Sequence, residues 1–202
     1  MPPEPVVHVI DDDEAVRQSL ALLLTSAGLR AQTYDGPRDF LAALPAMAPG
    51  CIITDMRMPG MSGLELMVHL GTLGSTRPVI LITGHADVAL AVEAMKRGAV
   101  DFLEKPFDDA ALIAAVRKAV HVGPVDVAQD ADARTARAAV STLSAREKDV
   151  VRGLVDGKTN KMIARDLGIS ARTVEEYRAT AKSKLGVRTL PALVRIALRA
   201  GF

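Results

Sequence analysis

Reactive side chains stand at the ends of several short apolar runs. Three carboxylates, Asp11, Asp12 and Asp13, follow Val6-Val7-His8-Val9-Ile10, and a single one, Asp55, ends Cys51-Ile52-Ile53-Thr54. A hydroxyl, Thr83, ends Val79-Ile80-Leu81-Ile82, and an ammonium, Lys105, follows Val100-Asp101-Phe102-Leu103 just before Pro106. Carboxylates gathered within a few ångströms repel, and they call for a hard divalent cation such as Mg2+, which takes one or two of them and completes its shell with water. A cation beside an aspartate, with a hydroxyl and an ammonium opposite, suits placement of a phosphoryl group on that aspartate.

For this chemistry the four groups must converge, and the rest of the first 120 residues predicts how. The apolar runs are continuous rather than alternating, which implies strands covered on both faces as in a parallel sheet, with a weaker strand near Arg30 to Tyr34. Between them, Val16, Leu20, Leu23, Leu24 and Ala27 recur at helical spacing and stop at Gly28. Further helices fit Pro37 to Leu44, Gly63 to Gly71, Asp87 to Arg97 and Asp108 to His121. The expected fold is therefore α/β, a doubly wound (βα)5 domain over residues 1–121, in which ligands bind beyond the carboxyl ends of the strands.

Residues 122–140 are rich in Ala and Asp and are expected as a linker, helical over Asp130 to Val140. From Ser144 the pattern is purely helical: a capping box Ser144-Ala-Arg-Glu147, an apolar stripe of Val150, Val151, Leu154 and Val155, then helices over Asn160 to Leu167, Ser170 to Leu185 and Pro191 to Ala200. Two helices joined by the tight Gly168-Ile169 turn in such a unit, residues 141–202, make an all-α helix-turn-helix pattern.

Charge divides the chain in the same place. Residues 1–140 hold 12 Lys and Arg against 18 Asp and Glu, a net charge of −6, whereas residues 141–202 hold 13 against 6, a net charge of +7. The basic part suits nucleic acid. The single Cys51 excludes a disulfide framework, no run reaches the roughly 18 uncharged apolar residues of a membrane span, and the acidic N-terminus is unlike a signal peptide, so a cytoplasmic protein without a membrane partner is expected.

The fragments VIDDD, TDMRMPGMSG and ITGHADVALAVEAMKRGAVDFLEKPF, followed by LSAREKDVV and NKMIARDLGISARTVEEYRATAKSKLGV, resemble two-component response regulators of the NarL/FixJ family. More narrowly they are similar to the FixJ type, a receiver followed by a LuxR-type helix-turn-helix domain. The resemblance covers nearly the whole chain except the linker. It implies that Asp55 accepts a phosphoryl group from a histidine kinase, within an acidic pocket of Asp11 and Asp12. Asp12, Asp55 and the backbone carbonyl of Arg57 would hold Mg2+. Thr83 and Lys105 would meet phosphoryl oxygens, the Lys105–Pro106 peptide would be cis, and Phe102 would move with Thr83 as a switch. Arg57 and His85 would flank the path of a hydrolysing water and tune the lifetime of the acyl phosphate. The family is one of regulators rather than enzymes, and it implies homodimerisation on phosphorylation, with promoter DNA and RNA polymerase as further partners. A phosphatase of the haloacid-dehalogenase kind also uses a strand-end aspartate, but it needs an acid two residues later, where Arg57 stands. A regulator working without phosphate, and a signalling protein whose last domain binds protein, are the other readings.

In the helix after Ser170, taking Val174 as inward places Ala181 and Leu185 on its side and turns Glu176, Ala179, Thr180 and Ser183 outward. The resemblance assigns base reading to Glu175, Glu176 and Ala179, with Thr173 beside them. Lys158, Lys161, Arg172, Arg178, Lys182, Lys184 and Arg188 would lie near phosphates. Members of the family often carry Val and His where this chain has Glu176 and Tyr177.

Overall fold

The computed structural model describes residues 5–84, 88–121 and 129–202. The expectation for His85, the helix start at Asp87 and the first part of the expected linker lie outside the described residues. The chain divides into two compact units, residues 1–85 with 97–124, and residues 86–96 with 125–202.

The first unit is built on strands β1 (Val6–Ile10), β2 (Arg30–Tyr34), β3 (Gly50–Asp55), β4 (Val79–Thr83) and β5 (Asp101–Glu104). They form one parallel sheet in the order β2-β1-β3-β4-β5. Helices α1 (Glu14–Ser26), α2 (Pro37–Ala43), α3 (Gly63–Thr72) and α5 (Asp109–His121) follow β1, β2, β3 and β5. Burial on both faces explains the continuous apolar strands. On one face Val7, Val9, Cys51, Ile53, Ile80 and Ile82 pack with Leu20 and Leu24 of α1 and with Leu112 and Val116 of α5. On the other, the buried His8 ring meets Tyr34 and Phe40 of α2. His8 Nδ1 lies 3.2 Å from the Tyr34 hydroxyl and Nε2 3.2 Å from the Ala48 carbonyl, so it is a satisfied core histidine.

One glycine sets how closely α3 approaches the sheet. A Cβ at Gly63 would collide with the carbonyl oxygen of Asp55 and come within 3.0 Å of the Leu81 and Thr54 side chains. The bare backbone lets the Gly63 N–H donate to the Met56 carbonyl at 3.1 Å, which turns the chain sharply after Asp55.

The second unit is helical: α4 (Val88–Lys96), α6 (Gln129–Ser141), α7 (Ala145–Val155), α8 (Asn160–Leu167), α9 (Ala171–Lys184) and α10 (Leu190–Ala200). Helix α6 takes up the latter part of the expected linker but extends to Ser141 and packs on α10, with Ala136 and Val140 buried. The capping box at Ser144 forms, as Glu147 N–H donates to Ser144 Oγ and Ser144 N–H to Glu147 Oε2. The stripe behind it, Val150, Val151, Leu154 and Val155, is buried. Between α8 and α9 the turn relies on Gly168 in the left-handed region at φ 65°, where a side chain would be strained. Among the described residues no helix is long and apolar enough to cross a membrane.

Candidate functional site

β1 sends its next strand to one side of the sheet, while β3 pairs on the other side, so the strand order reverses between β1 and β3. Ile10 is in register with Thr54 across that pair. One step further along the two parallel strands come Asp11 and Asp55, side by side at the carboxyl edge. Ligands of open α/β sheets bind at such a crevice. Asp55 is in register with Ile82, and Thr83 with Glu104, which sets Thr83 and Lys105 at the same edge. The sheet thus assembles residues that lie far apart in sequence.

The centre of the site is the Lys105 ammonium. Its Nζ donates to Asp55 Oδ1 at 2.7 Å and to Asp11 Oδ2 at 2.9 Å. Both carboxylates are nearly buried, at 8% and 3% exposure, so one cation neutralises two charges that water barely reaches. Burial pulls the ammonium down, but its bonds to Asp55 and Asp11 outweigh that and hold Lys105 above the ordinary lysine value. The remaining oxygens are also engaged: the Arg57 N–H donates to Asp55 Oδ2 at 2.6 Å and the Asp13 N–H to Asp11 Oδ1 at 2.9 Å. The Lys105 N–H donates to the Thr83 carbonyl at 2.7 Å, tying the lysine loop to β4, and the Lys105–Pro106 peptide is cis, as expected. Thr83 and Phe102 are buried.

Asp12 is exposed beside this pair, and Asp13 caps α1 by accepting from the Ala15 and Val16 N–H groups. Among the described residues no three carboxylates, imidazoles or thiols close around a common point. The donors are nonetheless hard oxygens, and one or two carboxylates plus water is what Mg2+ takes, so the residues fit that ion with the lysine as competing cation. Met56 and Met58 are buried, in keeping with packing rather than ligation. Arg17 was not foreseen: its Nη1 donates to the Asp11 carbonyl at 2.7 Å. Its signal in the sequence is an arginine in the first turn of the helix that starts beside the three acids.

In the second unit Val174, Ala181 and Leu185 are buried while Glu176, Ala179, Thr180 and Ser183 are exposed, as the periodicity of α9 requires. Glu175 is exposed as well, and Thr173 N–H donates to its cap Ser170 Oγ at 3.0 Å. The expected phosphate-facing cations differ in how they are engaged. Lys158 pairs with Asp166 at 3.0 Å and Asp156 at 3.8 Å, and the bond to Asp166 raises its pKa. Arg172 lies 3.4 Å from Glu176 one turn along, and Lys182 Nζ donates to the Arg188 carbonyl at 3.4 Å, while Lys161 is exposed. Lys184 Nζ donates to both oxygens of the buried Glu147, at 2.9 and 2.8 Å, and so joins α9 to the start of α7, while the residue itself stays exposed. Arg178 is half-buried against Asn160 of α8, a contact no local pattern announced.

Residues 7–117 match the response regulator receiver domain, and residues 141–197 match the bacterial regulatory proteins of the luxR family. The chain belongs to the response regulators. This response regulator is 54% identical over 202 residues to the transcriptional regulatory protein FixJ of Azorhizobium caulinodans, covering 100% of this chain and 95% of the relative. It is 49% identical to FixJ of Rhizobium meliloti, covering 97% and 96% of the two chains. The crystal structure of full-length FixJ from B. japonicum superposes with a TM-score of 0.58 at 47% identity, covering 98% of this chain and 97% of that one. The receiver match spans β1 to α5, and the luxR match spans the last residue of α6 through most of α10.

Proposed function

We propose that this response regulator takes a phosphoryl group from a histidine kinase onto Asp55 and, so modified, binds double-stranded promoter DNA through α9. The observation that carries the reading is the pairing of Asp55 and Asp11 by one ammonium at the strand-order switch. An Asp55 oxygen attacks the phosphorus of a phosphohistidine; the P–O bond forms, the P–N bond breaks, and the imidazole, which already carries a proton on its other ring nitrogen, leaves neutral. Asp12, Asp55 and the Arg57 carbonyl would hold Mg2+ beside Asp11, and the ion when bound would supply positive charge toward the phosphoryl oxygens. Lys105 trades its bond with Asp55 for one to a phosphoryl oxygen, and the Thr83 hydroxyl takes another. Phe102 packs into the space that Thr83 vacates, and Arg57 with His85 limits access of hydrolysing water.

The receiver, residues 1–121, then passes its state across residues 122–140 to the DNA-binding domain, residues 141–202. Phosphorylated receivers pair, so that a two-fold dimer meets a two-fold DNA site in the cytoplasm, in reach of RNA polymerase. Glu175, Glu176 and Ala179 face the base edges with Thr173 beside them, and Lys158, Lys161, Arg172 and Lys182 supply charge toward phosphates. The test is a duplex-retention assay on the full chain with and without a small phosphodonor and Mg2+. Tighter, salt-sensitive binding and dimerisation on phosphorylation are expected; equal binding in both states contradicts the phosphate switch, and no binding in either contradicts DNA as the partner.

A further inference from the structure

Asn160 is the first residue of α8, and Glu175 and Arg178 stand three apart on α9, so both side chains point to the same side of that helix. Arg178 Nη1 lies 2.6 Å from Asn160 Oδ1, and Asn160 Nδ2 lies 3.4 Å from Glu175 Oε1. The direction of this chain of bonds follows from chemistry. A guanidinium only donates, so the amide must turn its oxygen to Arg178; that leaves its N–H2 for Glu175, whose carboxylate only accepts. Of the residues of this size, only an amide can serve both neighbours at once. Arg178 is half-buried, and this desolvation lowers its pKa, with the Glu175 charge working in the other direction. A guanidinium so enclosed is poorly placed to meet a DNA phosphate, whereas the exposed Glu175 carboxylate can accept from cytosine N4.

We propose that Asn160 is a positioning residue for DNA readout: anchored by Arg178, its amide aims Glu175 at the base edges, and Arg178 itself makes no phosphate contact. The proposal rests on the DNA-binding reading above. It assigns sequence preference to a residue outside the recognition helix, and it moves one of the expected phosphate contacts into the support of the reading surface.

The experiment selects bound duplexes from a random-sequence library with the full-length protein, and then measures salt dependence on a fixed duplex. Glu175→Gln, Asn160→Asp, Arg178→Ala and Lys182→Ala are compared with wild type, each checked for an unchanged helical melt. Asn160→Asp keeps an oxygen for Arg178 but turns a second carboxylate toward Glu175, so it separates fold from aim. Glu175→Gln, Asn160→Asp and Arg178→Ala should all relax preference at one shared base position, by roughly 5- to 150-fold in discrimination. Arg178→Ala should leave the slope of log affinity against log salt unchanged, whereas Lys182→Ala lowers it by about one and keeps the preference. The proposal is overturned if Asn160→Asp retains the wild-type preference, if Glu175→Gln alters none, or if Arg178→Ala lowers the slope as Lys182→Ala does. If the wild type retains no duplex at all, the DNA-binding reading fails instead. Where Arg178→Ala unfolds, Arg178→Lys takes its place: lysine cannot span the amide in the same geometry, so preference should still relax with the slope intact.

Discussion

Replacing Lys105 with Met removes the ammonium while keeping the stem, and the structure sets the size of the effect. Two charge-assisted hydrogen bonds, 2.9 and 2.7 Å long, are lost, and the Asp11 and Asp55 side chains, 4% and 10% exposed, are left facing each other. Breaking a buried pair by removing one partner costs about 3–5 kcal/mol. The Lys105 side chain keeps 27% of its surface in water, so solvent takes over part of the lost interaction and a loss of about 2–3 kcal/mol is the better figure. With a urea slope of about 2 kcal/mol/M, the unfolding midpoint of the first unit falls by roughly 1 to 1.5 M in chelator. Mg2+ should raise the midpoint of Lys105→Met more than that of wild type, because a cation then replaces the missing charge. Adding Asp55→Asn should restore part of the loss. The sign with pH is also fixed: a lysine held above the ordinary value of 10.5 contributes in full below that value and loses its contribution only as pH rises through the higher folded value, so the difference at pH 7 and pH 9 should match. Equal midpoints for wild type and Lys105→Met in chelator would show that the ammonium does not hold the two carboxylates, and the reasoning fails.

Three further outcomes follow from single residues. The Cys51 thiol is buried and its pKa is pushed up to about 12, so a thiol-alkylating reagent at pH 8 should modify it only as fast as the sheet opens; rapid labelling of folded protein contradicts the packing. Gly63→Ala forces backbone movement at the Asp55 carbonyl, and should cost about 1–3 kcal/mol in urea unfolding while slowing phosphorylation. Hydrogen bonds from Lys184 and then Ser144 outweigh burial and hold Glu147 below its usual 4.5, so its contribution is present above 4.5 and lost as pH falls through the lower folded value. An acid titration of helicity should therefore weaken the second unit in that window, and Glu147→Gln should flatten the response.

The alternation of continuous apolar runs with helical spacings announced the sheet and its helices, because a parallel strand buried on both faces leaves an unmistakable mark. The edge carrying Asp11, Asp55, Thr83 and Lys105 followed, since every parallel strand ends at the same side. Helix α6 was legible as a helix, and in its extent to within one residue at each end, but not in its packing, because burial of Ala136 and Val140 against α10 is tertiary. Side-chain partners were the least legible. Nothing local tells that Lys184 meets Glu147, 37 residues away, or that Arg178 meets Asn160, 18 residues away. A basic residue on a reading helix looks the same in sequence whether its charge is offered outward or consumed inside.

The most direct test of the account is the intact mass of the protein after incubation with a small phosphodonor and Mg2+, for wild type and Asp55→Asn. Wild type should gain one phosphoryl group and lose it on mild alkaline treatment, as an acyl phosphate does, while Asp55→Asn gains none. A wild type that takes no phosphoryl group, or an Asp55→Asn protein that gains it equally, contradicts Asp55 as the acceptor.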